Sequence, residues 1–246
     1  MSEVIAICSR KGGTAKTTSC WAIAGGIRSA GKRVLLIDLD SQFNLTAVMG
    51  ADPGKLNATD LLDGSAKPAR TIQHTEQGDI IAGSGDLAAA DVILTANTHL
   101  KKALTQLLPE YDFIIIDCPA SYGRLTMNAL TAANSAIITL EPSTFSEQGI
   151  KDLDGIIKQI KRTNKNLNVR GILITRCDKR SNEVKEAIEE ISAAAAEIGT
   201  AVLGQIRATS KVGAAQRRKI NLLDYQPRNN TAASDYNDVI KELLKE

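Results

Sequence analysis

The chain has 246 residues, of which 43% are apolar and 24% charged, an ordinary globular composition able to bury a sizeable core in one long domain. Aromatic residues amount to only 3%, which argues against single-strand nucleic-acid binding by base stacking. Thirty basic residues against 28 acidic ones leave +2, a total that by itself points to no partner.

Apolar runs alternate with helical patterns. Val4–Cys8 reads as a short strand and Lys16–Ser29 as a helix ending at the turn Ala30-Gly31. Val34–Ile37 is a second strand and Asp79–Ala82 a weak third. Between them, 51–78 is rich in turn residues such as Asp52-Pro53-Gly54, and reads as an irregular excursion from a single domain spanning 1–246. Thr98–Leu108 is helical up to Pro109, Phe113–Ile116 a buried strand, Arg124–Ala133 a helix and Ser135–Leu140 a strand. A helix over Gln148–Lys161 carries Ile150, Leu153, Ile157 and Ile160 on one face. Val169–Thr175, Asn182–Ile198, Ala201–Ile206 and Ser234–Leu244 follow as strand, helix, strand and helix. Continuous apolar strands separated by helices predict an α/β fold, a mostly parallel twisted sheet covered by helices on both faces.

The N-terminal residues lack the basic stretch and apolar run of a signal peptide, and no run reaches about 18 apolar residues. Cys8, Cys20, Cys118 and Cys177 are widely spaced, without a C-x-x-C pair, and read as reduced structural thiols. His74 and His99 are the only histidines and are expected at the surface.

The strongest motif lies at the first strand–helix junction, Ser9-Arg10-Lys11-Gly12-Gly13-Thr14-Ala15-Lys16-Thr17-Thr18. A glycine-rich turn opening a helix offers backbone N–H groups and the positive end of the helix dipole to a polyphosphate. Lys16 would neutralise β- and γ-phosphates, and the Thr17 hydroxyl would ligate Mg²⁺. Two further stations lie at strand ends: Asp38-Leu39-Asp40-Ser41-Gln42 after the second strand, and Asp117-Cys118-Pro119 after the buried strand from Phe113. Ligands of open α/β sheets sit outside the carboxyl ends of strands.

The loop departs from G-x-x-x-x-G-K-[ST] and resembles K-G-G-x-G-K-[ST], the deviant Walker A loop of the ParA/MinD superfamily of P-loop ATPases. Ala15 stands where that pattern has glycine, and Ser41 where the second motif, D-x-D-x-Q, has proline. The resemblance runs from Val4 to about Leu244 and implies a single P-loop NTPase domain using ATP and Mg²⁺. It implies that Lys11 reaches across a nucleotide-sandwich homodimer to the partner's phosphates and is catalytic together with Lys16. It further implies that Asp38 supports the Mg²⁺ shell, that Asp40 positions the attacking water, and that Thr17 and Asp117 complete the metal site. The nucleotide site would comprise Lys11, Gly12, Gly13, Thr14, Ala15, Lys16, Thr17 and Thr18, with Thr175, Arg176 and Arg207 beside the base. Ala120–Leu130 resembles the family's switch region, and Glu141-Pro142 through Ile150 also follows the pattern.

Fold alone does not choose among the superfamily's functions. The absence of suitably placed cysteines disfavours iron–sulfur members, and the absence of a tyrosine-rich tail disfavours the kinases. The last helix is amphipathic but carries four acids and two lysines from Asp235 to Glu246, a poor match for a membrane-binding helix. Eight basic residues and one acid lie between Lys158 and Arg180, and five basic residues and no acid between Arg207 and Lys219. Two basic blocks in an otherwise acidic chain suit phosphate backbones. The expectation is therefore a ParA-type partition ATPase, cytoplasmic and nucleoid-associated, that binds double-stranded DNA non-specifically through Arg180, Lys211, Arg217, Arg218 and Lys219. A ParB-type centromere-binding protein would stimulate slow hydrolysis; no membrane and no DNA-reading extension are expected. A positioning ATPase for a protein cargo, a MinD-like regulator and a weakly catalytic scaffold remain alternatives.

Overall fold

The computed structural model describes residues 2–142, 147–178, 180–225 and 228–245, with 147–153 described by backbone alone. Eight strands form one sheet in the order β3-β4-β2-β5-β1-β6-β7-β8. They are β1 (Glu3–Cys8), β2 (Val34–Asp38), β3 (Ile72–Thr75), β4 (Gly78–Ile81), β5 (Phe113–Asp117), β6 (Ser135–Leu140), β7 (Asn168–Cys177) and β8 (Val202–Arg207). All pairs are parallel except β3–β4.

The central strands are apolar on both faces, as a doubly covered sheet requires. Along β1, Val4, Ala6 and Cys8 enter one core while Ile5 and Ile7 enter the other; along β5, Ile114 and Ile116 alternate in the same way with Phe113 and Ile115. The first core lies under α3 (Ala58–Asp63), α4 (Leu87–Ile93), α5 (His99–Leu104), α6 (Arg124–Ala132), α7 (Glu147–Thr163) and α8 (Asn182–Glu197). The second lies under α1 (Lys16–Ser29), α2 (Asn44–Met49), α9 (Lys211–Arg218) and α10 (Thr231–Leu243). Helix α1 runs unusually close to its neighbours: a Cβ on Gly25 would collide with Asn221, and one on Gly26 with Leu223 and Ile240. Trp21, fully buried on α1, donates from Nε1 to Gln77 Oε1 at 2.7 Å.

The expected excursion at 51–78 is more ordered than its turn residues suggest. Asn57 and Asp60 form a reciprocal capping box that starts α3, and β3 then pairs antiparallel with β4 to extend the sheet. Helices α2, α4 and α9 also lie where no element was expected. The helix expected over Thr98–Leu108 stops at Leu104, and a 3-10 turn follows at Leu108–Glu110. Ile157 and Ile160 of α7 are buried; Ile150 and Leu153 lie outside the residues whose side chains are described. Among the described residues no helix is long and apolar enough to cross a membrane.

Candidate nucleotide site

The sheet presents the carboxyl ends of β1, β2, β5 and β7 along one edge, and the sequence motifs collect there. A cavity of about 1460 Å³ opens above them, lined by the loop from Gly12 to Thr18, by Asp40 and Gln42, by Pro119–Ser121, and by residues around Arg207 and α9.

The loop after β1 is held by short polar contacts. Ser9 Oγ donates to the Lys11 carbonyl and accepts from the Lys11 N–H. Thr14 and Thr139 share a buried hydroxyl–hydroxyl bond of 2.9 Å. Gly13 (φ 84°) and Ala15 (φ 58°, ψ 28°) occupy the left-handed region, Ala15 as the residue that caps α1. That conformation suits glycine and is costly for alanine; the departure from the family pattern changes the side chain and not the backbone. A Cβ built on Gly12 or Gly13 meets nothing within 4 Å, so the concave side of the loop is open.

Thr175 and Arg176 were expected beside the base. Thr175 is fully buried, and its hydroxyl serves the Thr14 carbonyl at 3.0 Å and the Leu140 carbonyl at 3.2 Å. Arg176, itself at φ 56°, donates to the Gly13 carbonyl at 3.4 Å and lies 3.7 Å from Glu141. Both therefore brace the phosphate loop from the end of β7. Arg207 lines the cavity, but its guanidinium is committed to Asp235, with contacts of 2.6–3.1 Å, and to the Thr231 carbonyl. Its backbone N–H also donates to Asp235 Oδ2, at 2.8 Å.

Register places Asp38 of β2 directly opposite Asp117 of β5. Both carboxylates are buried, and their roles divide. Asp38 Oδ2 accepts from the Thr46 N–H and hydroxyl, each at 2.8 Å, while Oδ1 accepts from the Asp40 N–H at 3.1 Å. The Thr46 hydroxyl in turn accepts from Gly83 N–H at 2.8 Å. Asp38 was expected to support the metal shell; in the structure its oxygens hold the start of α2 and the backbone of Asp40. Asp117 has neither oxygen in a hydrogen bond within the described structure. Burial, then the adjacent Asp38 charge, raises its carboxyl well above the ordinary range, while Thr17 and Lys16 oppose that shift. A buried carboxylate with no well-formed hydrogen bond, beside a buried Lys16 and the half-buried Thr17 hydroxyl, fits a cation or its water ligands. Asp40 is half-exposed on the cavity wall, its Oδ1 accepting from Gln42 N–H at 3.0 Å.

Lys11 is exposed, and no hydrogen bond or ion pair among the described residues engages its ammonium. Thr18 accepts from Gln216 Nε2 at 3.3 Å, tying α1 to α9. Arg217, Arg218 and Lys219 are exposed at the end of α9 and Lys211 is half-exposed at its start; Arg218 stacks over Tyr225 at 5.2 Å. Arg180 pairs with Asp178 at 2.9 Å, which offsets its charge. Cys118 is buried, as are the other three cysteines. Residues 143–146 of the Glu141–Ile150 stretch lie outside the described residues.

The sequence reading missed Thr46, Thr139, Asp91 and Asp235. Thr139 had a signal, a hydroxyl inside an apolar strand. Asp91, whose carboxylate accepts from Leu125 N–H at 2.7 Å and starts α6, had none.

Residues 2–169 match a family described as an AAA domain. The chain is 36% identical over 200 residues to the sporulation initiation inhibitor protein Soj of Bacillus subtilis, covering 78% of this chain and 79% of that one. It is 34% identical over 202 residues to the chromosome partitioning protein ParA of Myxococcus xanthus, covering 78% and 71%. The structure of the septum site-determining protein MinD from Pyrococcus horikoshii, complexed with Mg-ADP, superposes with a TM-score of 0.82 at 26% identity, over 100% of this chain and 97% of that one. With this fold, this loop and these relatives, the chain belongs to the AAA-domain family, within the ParA/MinD superfamily of P-loop ATPases.

Proposed function

We propose that this protein is a ParA-type partition ATPase that hydrolyses ATP with Mg²⁺ and binds DNA without sequence preference in its ATP-bound dimeric form. The observation that carries the reading is the pairing of a left-handed phosphate loop with the buried carboxylate of Asp117, which lies beside Lys16 and Thr17 of that loop.

Bound Mg·ATP would supply the phosphoanhydride bond and a cation to spread its charge. Gly12, Gly13, Thr14 and Ala15 aim the loop's backbone at the phosphates, Lys16 neutralises them, and Thr17 with Asp117 holds the cation. Asp38 fixes the backbone of Asp40, and Asp40 orients water at the cavity wall. Lys11, exposed and uncommitted, is placed to enter the site of a second copy.

Lys211, Arg217, Arg218 and Lys219 lie on the helix bordering the cavity, so a change at the nucleotide has a short path to them through Gln216. Arg180 contributes less, its charge being offset by Asp178. In a cell the protein would act in the cytoplasm on nucleoid DNA, released when a ParB-type partner stimulates hydrolysis. Binding to random duplex DNA, measured with ATP, ADP and no nucleotide across a salt series, tests this. Tight, steeply salt-dependent binding with ATP alone is expected; equal affinity in all three states overturns the reading.

A further inference from the structure

At the end of the sheet away from β3, strand β8 has β7 as its hydrogen-bonded neighbour and no strand on its other side among the described residues. A sheet edge is a template for another strand, and natural edges are commonly blunted by lysine or proline. The stretch Val202–Arg207 contains neither, and its one charge, Arg207, is turned onto Asp235. Register shifts toward β7 bend the strand without covering it.

Beside this edge runs a groove of about 730 Å³ between Ala201–Gln205 and the flank of α10. The helix lies close over the strand, since a Cβ on Gly204 would strike Val239. It runs antiparallel to β8: Asp235 meets Arg207 at one end, Val239 lies over Gly204, and Leu243 sits with Glu3 and Arg170 at the amino ends of the strands. Asp235, Asp238 and Glu242 line the groove together with Arg170, whose guanidinium is paired with Glu3 at 2.8 Å. Among the described residues, Asp238 and Glu242 pair with Lys241 and Lys245, three residues on along the same helix, in exposed pairs that a partner's cations can replace.

We infer that β8 is a docking edge for an extended basic segment of another protein, which adds as a ninth strand while its Lys or Arg side chains meet Asp238 and Glu242. The spacing matches: four helical residues advance about 6 Å, and alternate residues of a strand about 6.6 Å. Main-chain pairing supplies affinity and the carboxylates supply selectivity for a cationic chain. A second copy presenting its own β8 is disfavoured by charge, because a two-fold contact would bring the acidic flanks of two α10 helices together. The site lies outside the nucleotide cavity, and the inference stands whether or not the partition reading holds.

Fluorescence anisotropy with a labelled Lys-Val-Lys-Val-Lys-Val peptide tests it, together with the Glu-Val counterpart and a Lys-Val peptide N-methylated at alternate residues. The Lys-Val peptide is expected to bind, to protect Val202–Arg207 amides from hydrogen exchange, and to lose affinity about tenfold against Asp238→Lys/Glu242→Lys. That variant keeps the basal ATPase rate, which shows that it folds. No binding of the Lys-Val peptide overturns the inference. Binding indifferent to the charge reversal, or equal binding of the N-methylated peptide, also overturns it. So does a dimer or filament held through β8 in sedimentation without peptide.

Discussion

Ala15→Gly tests whether the phosphate loop is pre-set by its backbone. Ala15 sits at φ 58° and ψ 28°, where a Cβ costs about 1–2 kcal/mol. Glycine removes that strain but gains freedom in the unfolded chain worth about 0.4–1 kcal/mol. The difference leaves the variant more stable by about 0–1.6 kcal/mol. At about 2–4 °C per kcal/mol for a domain of this size, the melting temperature rises by up to about 6 °C, read by calorimetry without nucleotide. Ala15→Val, with a β-branched side chain at the same angles, melts below wild type. Single-turnover ATP hydrolysis by Ala15→Gly stays within about threefold of wild type, because the loop already has the conformation that glycine would permit; threefold is about 0.65 kcal/mol in barrier. A lower melting temperature for the glycine variant would refute the strain argument. A tenfold change in hydrolysis would refute the claim that alanine leaves the loop's geometry unaltered.

The same site yields three further expectations. Asp117→Asn stabilises the nucleotide-free protein while abolishing the stabilisation that Mg·ATP confers, both read by thermal melts. Burial pushes the Asp117 carboxyl up to about 8, so folding favours its uncharged form; the variant's advantage is full at and above that pH and closes as pH falls toward the unfolded value of about 4. Thr46→Val removes a donor to Asp38 and an acceptor for Gly83 N–H, costs about 1–3 kcal/mol and lowers kcat through Asp40, with Mg²⁺ affinity near wild type; unchanged kcat would separate Asp38 from Asp40. Arg217→Ala lowers the salt slope of DNA binding by about 0.9, whereas Arg180→Ala lowers it less because Asp178 already offsets that charge; equal losses would show that the Asp178 pair does not form.

The central sheet was legible because buried parallel strands are written as unbroken apolar runs. Phe113–Asp117 is such a run, and its structure matches the reading residue for residue apart from the terminal Asp. Helices α2 and α9 were not legible. The first is six residues long, preceded by Phe43 in a left-handed conformation; the second is mostly polar, and its apolar contribution to the core is small. The site's motif residues could be named from spacing, but not the split between Asp38 and Asp117. That split depends on Thr46 and Gly83, which reach Asp38 only once α2 and the end of β4 are folded.

Charge shows the limit of linear reading most clearly. The block from Lys158 to Arg180 is contiguous in sequence, yet it crosses the whole sheet. Lys161, Arg162 and Lys165 flank the end of α7, where Asn164 bonds the Leu130 and Ala133 carbonyls at the amino end of β6. Arg176 lies at the opposite end of β7, beside the phosphate loop, and Arg180 follows that end of the strand. The strand residues Asn168–Thr175 separate the two groups, about 26 Å at the usual rise, about three Debye lengths at physiological salt. The two ends therefore do not add into one field. The shorter block around α9 borders the same cavity as the phosphate loop, where Arg176 alone represents the longer one, and the proposed nucleotide-controlled contact with phosphates is assigned there.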